Sequence, residues 1–327
     1  MAASIYFLDL SENQKRQYID AETVFLSLVQ ARKAAAEVRG SMIWRELRGT
    51  RTLIRTSAYG GQKSLGPHSD QNQQLFDNFM ARKASLEERV KALKAQLAIQ
   101  QRLNRAHRVG RVPNIVVSVI NALENAGVQE HFLVVGTHAL YAFEMAAGVR
   151  IAEQAMATRD VDMLFDTRKR VSFFTAMKKL DSSLIGLLRK ADPSFEVVAD
   201  QHYSARNNDG FEVDIIRRNA GVIDPHPMRM SDAEEDFWAA QVSMGEKLQS
   251  ARRFDQVVIA TSGEMALMRT VHPLDFARIK QALSRQELRE ANKRGKDALQ
   301  AKIVTELVKQ YLPHLMESST AGATPGI

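Results

Sequence analysis

The chain has 327 residues, 45% of them apolar, no cysteine, and a net charge of +7. That length predicts about two domains, because single cores stop growing near ~250–300 residues, and the apolar fraction is that of a globular protein. The missing cysteines exclude disulfide scaffolds, thiolate zinc sites, iron–sulfur clusters and cysteine nucleophiles, and no apolar run approaches the ~18 residues of a membrane span or forms a signal peptide, so the expectation is a soluble cytoplasmic protein.

Residues 11–39 read as a helix, with Ser11 as N-cap, Gly40 as the stop, and Val24/Leu28 and Phe25/Val29 at helical spacing. The stretch 41–67 is β-rich: Ile43 to Arg48 and Thr50 to Thr56 flank a turn at Gly49, which predicts a small antiparallel hairpin. From Ser69 to Arg108 the pattern is helical again. Leu86, Val90, Leu93 and Leu97 recur at 4-3-4 spacing, a stripe too short for a coiled coil and suited to packing on a neighbouring helix.

The charge is concentrated there. Between Arg82 and Arg111 nine cations (Arg82, Lys83, Arg89, Lys91, Lys94, Arg102, Arg105, Arg108, Arg111) face only Glu87 and Glu88, so the segment carries +7 and the rest is close to neutral. After Pro113 helices and strands alternate: a helix over 114–126, strand 131–135, helix 139–147, strand 159–166, helix 168–190, then strands at 195–199 and 210–218. Helices are expected to dominate after Ala233. The expected organisation is an N-terminal region 1–112 with a hairpin (41–67) and a basic helix (82–108), an α/β core over 113–232, a helical part over 233–317, and a disordered tail at 318–327.

The informative motif is RDVDMLFD. Side chains alternate along a strand, so Asp160 and Asp162 project to one side ~7 Å apart while Val161, Met163 and Phe165 project to the other. Two like charges on one face repel each other unless a divalent cation sits between them. FEVDII repeats the arrangement with Glu212 and Asp214, and a third carboxylate from a neighbouring strand would complete an oxygen-ligand site suited to Mg²⁺ or Mn²⁺. The alternative is that both strands merely present a solvated polar face. Upstream, the apolar HFLVV breaks at Gly136-Thr137 into a helix, which places backbone N–H groups and a hydroxyl where phosphate is readily bound. Phosphate cradle, DxD strand and third acid are the set that metal-assisted phosphoryl or nucleotidyl transfer requires.

In their order, these motifs resemble the nucleotidyltransferase fold of the DNA polymerase β superfamily. The run VVGTHALYAFEMAAGV…ATRDVDMLF is similar, more narrowly, to an uncharacterised bacterial nucleotidyltransferase-like family. The hairpin segment from Trp44 to Pro67 and the segment from His272 to Ala301 resemble flanking parts of that family, so the likeness covers about 40–300. It implies an α+β fold: a mixed sheet with helices, preceded by a helix and hairpin region and followed by a helical C-terminal part. It also implies an enzyme moving a nucleoside monophosphate from an NTP to an acceptor hydroxyl. By position, Gly136 and Thr137 take the phosphate-binding role, Asp160 and Asp162 match the metal-binding pair, and Asp214 matches the third acid, with Glu212 as its rival. The 24 residues from Gly136 to Asp160 exceed the usual connection, and Thr stands where Ser or Gly is usual.

Related nucleotidyltransferases carry a triphosphate-binding lysine in the C-terminal helical part. Lys280 is the candidate, ahead of Arg294, Lys296 and Asp297. His138 either touches nucleotide or simply caps the helix. The basic segment Arg82–Arg111 reads as a polyanion-binding face, or as an ordinary solvated helix. Trp44 and Tyr59, set among Arg45, Arg48, Arg51 and Arg55, suggest a stacking platform for an RNA acceptor such as tRNA. The competing reading is a non-catalytic nucleic-acid-binding or regulatory protein that retains the fold.

Overall fold

The computed structural model describes residues 6–47, 49–57 and 60–317; Arg48, Tyr59 and the tail 318–327 named above lie outside the described residues. Its first half runs β1 (Phe7–Asp9), α1 (Glu12–Glu37), β2 (Ser41–Leu47), β3 (Thr50–Thr56), β4 (Gln62–Pro67), α2 (Asp70–His107), α3 (Asn114–Asn125), β5 (Phe132–Val135), α4 (Ala139–Ala147), β6 (Val149–Ile151), α5 (Glu153–Met156) and β7 (Asp160–Phe165). The second half runs α6 (Arg170–Leu180), α7 (Leu184–Leu188), β8 (Glu196–Val198), β9 (Gln201–Arg206), β10 (Glu212–Arg217), β11 (Met228–Arg229), β12 (Trp238–Gln241), α8 (Gly245–Ser250), β13 (Arg253–Ile259), β14 (Met265–Val271), α9 (Pro273–Ser284), α10 (Ala291–Tyr311) and α11 (His314–Glu317). Packing divides the chain into two units: Arg16–His107, and Met1–Lys15 together with Arg108–Ile327.

In the unit Arg16–His107, α1 and α2 run antiparallel. Gln17 Nε2 donates to Gln100 Oε1 at 2.7 Å and to Asn104 Oδ1 at 3.0 Å, and Arg82 pairs with Glu37 at 2.5 Å. The stripe is longer than four residues and meets the β-strands as well as α1: Asn72 donates to Leu65 O and Pro67 O, Phe76 meets Trp44, and Phe79 lies under the Arg55 guanidinium. Asn72, Phe76, Phe79, Lys83, Leu86, Val90, Leu93, Leu97, Gln100 and Asn104 are all at least half-buried and keep the 4-3 spacing throughout. Polar residues at four of these positions hide the repeat from a hydrophobicity count. The expected hairpin is a three-stranded antiparallel sheet, order β2-β3-β4, because Gln62–Pro67 adds a third strand. Its Trp44 lies against His68 (5.0 Å between ring centroids) and Phe76 (6.1 Å), with the Arg51 guanidinium 5.2 Å from the ring, so Trp44 is engaged within the unit rather than presented as an open stacking platform. The basic segment also divides: α2 ends at His107, Arg108 has a left-handed φ of 53°, and Arg111 is spent on the buried Glu144.

The other unit is built on a seven-stranded sheet, order β11-β12-β10-β7-β5, with β9 pairing β10 and β8 pairing β9. β7 and β10 are parallel and central, whereas β5 runs antiparallel to β7. Phe132, Phe165 and Phe173 meet in a buried aromatic cluster with centroids 5.0–5.6 Å apart. The expected helix over 168–190 is interrupted: Asp181 turns left-handed (φ 47°), and Ser183 accepts from Gly186 N to start α7. After Ala233 the chain first forms β12, the short α8 and the long hairpin β13–β14, and becomes mainly helical from Pro273. Among the described residues no helix is long and apolar enough to cross a membrane.

Candidate active site

The alternation in DVDMLF and EVDIIR has its expected consequence. Val161, Met163, Val213 and Ile215 are at most 2% exposed, which fixes the opposite face for the acids. Because β7 and β10 are parallel and in register, Asp160 stands opposite Glu212 and Asp162 opposite Asp214. One carboxylate oxygen from each of Asp160, Asp162 and Asp214 lies within 4.8 Å of the others. Glu212 is drawn aside: Arg206, its partner on the neighbouring β9, donates to it through Nε at 2.6 Å. Asp160 accepts from the Thr158 hydroxyl.

Like charges side by side on adjacent strands oppose folding, and the electrostatics record the conflict. Burial, and then Asp160 and Asp214, push the Asp162 carboxyl up to about 7; Lys280 and Arg289 pull the other way. Asp214 is also raised, chiefly by burial, with the Ser204 hydroxyl opposing and the Asp160 and Glu212 charges adding to it. Among the described residues, the buried Asp214 Oδ1 accepts no hydrogen bond of good geometry. An unmatched acceptor beside two crowded carboxylates, with a donor set of oxygen alone, fits a hard divalent cation such as Mg²⁺ or Mn²⁺.

Gly136 is tied to the same spot. Val135 pairs with Asp162 across β5 and β7, so the chain turns immediately beside that carboxylate. Gly136 has φ 65°, and a Cβ there would sit 2.0 Å from Asp162 Oδ2. Both the left-handed backbone and the close approach demand glycine. Thr137 is 7% exposed, and its hydroxyl accepts from Gln300 Nε2 at 3.2 Å; Gln300 also donates to Ala155 O at 2.8 Å. His138 is buried between Tyr141 and Phe211, at 5.8 and 5.9 Å, and burial lowers its pKa to about 4 while the neighbouring Asp160 opposes that shift.

Of the C-terminal candidates, Lys280 on α9 donates to Asp297 Oδ1 on α10 at 2.8 Å, and its charge acts on Asp162. Lys296 donates to Ala157 O at 2.7 Å, and burial, then Lys280, lower its pKa. Among the described residues, the buried Arg294 Nε has no hydrogen-bond partner. The sequence reading passed over three residues of this neighbourhood: Arg289, which bonds Asp297; Gln300, which holds Thr137; and Ser204, opposite Asp214. No local motif marks them: Ser204 comes from β9, Arg289 from the connection between α9 and α10, and Gln300 from α10.

A mixed sheet flanked by helices, with clustered acids beside a Gly-Thr turn, is the architecture of a nucleotidyltransferase fold. Residues 114–324 match the family model described as "Nucleotidyltransferase", well over half of the chain, and the chain belongs to that family. No curated protein and no solved structure matches it. Membership makes this a transferase acting on a nucleotide.

Proposed function

We propose that the protein transfers a nucleoside monophosphate from an NTP to a hydroxyl of an RNA, with tRNA as the leading acceptor, as a member of the DNA polymerase β superfamily. The observation that carries the reading is the in-register placement of Asp160, Asp162 and Asp214 across two parallel strands, with one oxygen of each within 4.8 Å of the others. We assign the catalytic core to 113–232 and the phosphate-binding cations to 233–317. An NTP donor is a cytoplasmic metabolite, which is where we place the reaction.

Asp160, Asp162 and Asp214 would hold Mg²⁺ or Mn²⁺, which supplies charge neutralisation for the phosphates and the leaving pyrophosphate. The acceptor oxygen forms a bond to the α-phosphorus, and the bond from that phosphorus to the α–β bridging oxygen breaks. Pyrophosphate leaves with that electron pair, and the hydroxyl proton passes to the Asp214 carboxylate and on to solvent. The Gly136-Thr137 turn meets phosphate with backbone N–H groups, and the lack of a side chain at Gly136 keeps the approach to Asp162 open. Lys280 balances the β- and γ-phosphates.

The RNA acceptor is supported by charge. The unit Arg16–His107 holds sixteen Lys and Arg against eight Asp and Glu. Incubating the protein with each α-labelled NTP, Mg²⁺ or Mn²⁺, and total RNA tests this reading. Label in an RNA band supports it; label confined to protein transfers the acceptor role to protein; RNA retention without label under any condition supports the non-catalytic alternative.

A further inference from the structure

Asp297 is a buried carboxylate with more cationic partners than its charge needs. Its side chain is 2% exposed, yet Lys280 donates to Oδ1 at 2.8 Å and Arg289 Nε to Oδ2 at 2.5 Å. One cation would neutralise it. The second leaves the cluster positive, and Lys296, one residue before Asp297 on α10, adds a further charge. One of the three site carboxylates, Asp162, lies close enough to feel this group, since both Lys280 and Arg289 act on it.

The cluster is also held in place relative to the Gly-Thr turn. On α10, Lys296 bonds Ala157 O just ahead of β7, and Gln300, one turn beyond Asp297, bonds Thr137 and Ala155. Lys280 spends its amine on Asp297, but Arg289 does not spend its fork. Its Nε is committed to Asp297, and among the described residues neither terminal nitrogen has a hydrogen-bond partner. A guanidinium fixed through Nε presents both terminal groups, at 30% side-chain exposure, to an incoming ligand. That geometry suits two phosphate oxygens, and pinning the side chain beforehand reduces the entropy lost on binding.

We propose that Arg289, held through Nε by the buried Asp297, is a second triphosphate-binding cation beside Lys280, and that Asp297 is the positioning residue for both. The inference rests on the nucleotidyl-transfer reading and adds its pyrophosphate-binding side. Its specific content is discrimination: these groups serve the β- and γ-phosphates, so they contribute to binding of an NTP and not of the corresponding NMP.

Calorimetric titration of each of the four NTPs and NMPs, with Mg²⁺ and no acceptor, tests it. Arg289→Gln should weaken the preferred NTP by about 10- to 100-fold and leave its NMP unchanged, with Arg289→Lys in between. Asp297→Asn should weaken the NTP by a smaller factor, again without affecting the NMP; a purely structural carboxylate would weaken both in parallel. Arg289 is partly exposed, so its variants keep the fold even if Asp297→Asn loses stability. Wild-type NTP affinity in Arg289→Gln, or equal losses for NTP and NMP, overturns the proposal. A wild-type protein that binds none of the four NTPs overturns the underlying transfer reading as well.

Discussion

The two units handle charge differently. The helical-pair unit Arg16–His107 carries a net +8, whereas the catalytic unit has 29 Lys and Arg against 30 Asp and Glu, a net of −1. Among the described residues the helical-pair unit has two ion pairs, Arg82–Glu37 and Lys83–Glu87; the other fifteen belong to the catalytic unit. In the catalytic unit, charges are matched internally, and departures from matching mark the acids at Asp160, Asp162 and Asp214 and the cations around Asp297. In the other unit Arg89, Lys91 and Lys94 of α2 are exposed and without ion pairs among the described residues. Net charge therefore has to be read unit by unit: the same +7 conceals a nearly neutral catalytic unit and a basic helical-pair unit.

Arg111 provides the strongest test of that division, because it belongs to the basic run in sequence and to the catalytic unit in structure. It bonds both oxygens of Glu144, which is 3% exposed, and Ile151 O at 2.6 Å. Arg111→Gln should cost about 3–5 kcal/mol of stability, seen as a fall in melting temperature, and leave RNA affinity unchanged. A loss of RNA binding without destabilisation would reassign Arg111 to the basic surface.

Gly136→Ala places a methyl against Asp162 and forces a left-handed alanine. Transfer should fall by about 100-fold, and Mn²⁺ affinity with it, measured by label incorporation and by titration. Unchanged Mn²⁺ binding would show that the turn serves phosphate alone.

Arg89, Lys91 and Lys94 are exposed on α2 and without ion pairs among the described residues. Replacing all three with Gln should lower affinity for single-stranded RNA roughly tenfold and reduce the slope of log K against log salt by about 2, while NTP binding stays as it was. Equal slopes in variant and wild type would mean that α2 faces only water.

The smallest effect concerns pH. The folded pKa of Asp162, about 7, lies above its ordinary value, so the fold favours the protonated acid. Its contribution to metal-free stability is present at low pH and lost as pH rises through 7. A divalent cation needs the ionised form, so the melting-temperature gain from added Mn²⁺ should grow between pH 6 and pH 8. A gain that stays flat across that window would contradict the assignment of Asp162 as a ligand.

The centre of the site was legible because strand alternation is strict: apolar Val161, Met163, Val213 and Ile215 leave the acids only one face. Register was not legible, so the pairing of Asp162 with Asp214 and of Glu212 with Arg206 needed three dimensions. The hairpin β13–β14 escaped because MALMRTV lacks period-2 alternation and reads equally well as helix. The seam of α2 was obscured by Asn72, Lys83, Gln100 and Asn104 at buried positions. Arg289 and Asp297 lie in an ordinary charged stretch; only the fold shows one carboxylate holding two cations.

Nucleotidyl transfer at the three aspartates is decided by parallel assays with α-labelled and γ-labelled NTP. Wild-type protein should put the α-label, and never the γ-label, onto RNA, and Asp160→Ala with Asp162→Ala should abolish incorporation while leaving the circular dichroism spectrum unchanged. Undiminished α-label incorporation by the folded double variant, or γ-label on the acceptor, would contradict the account.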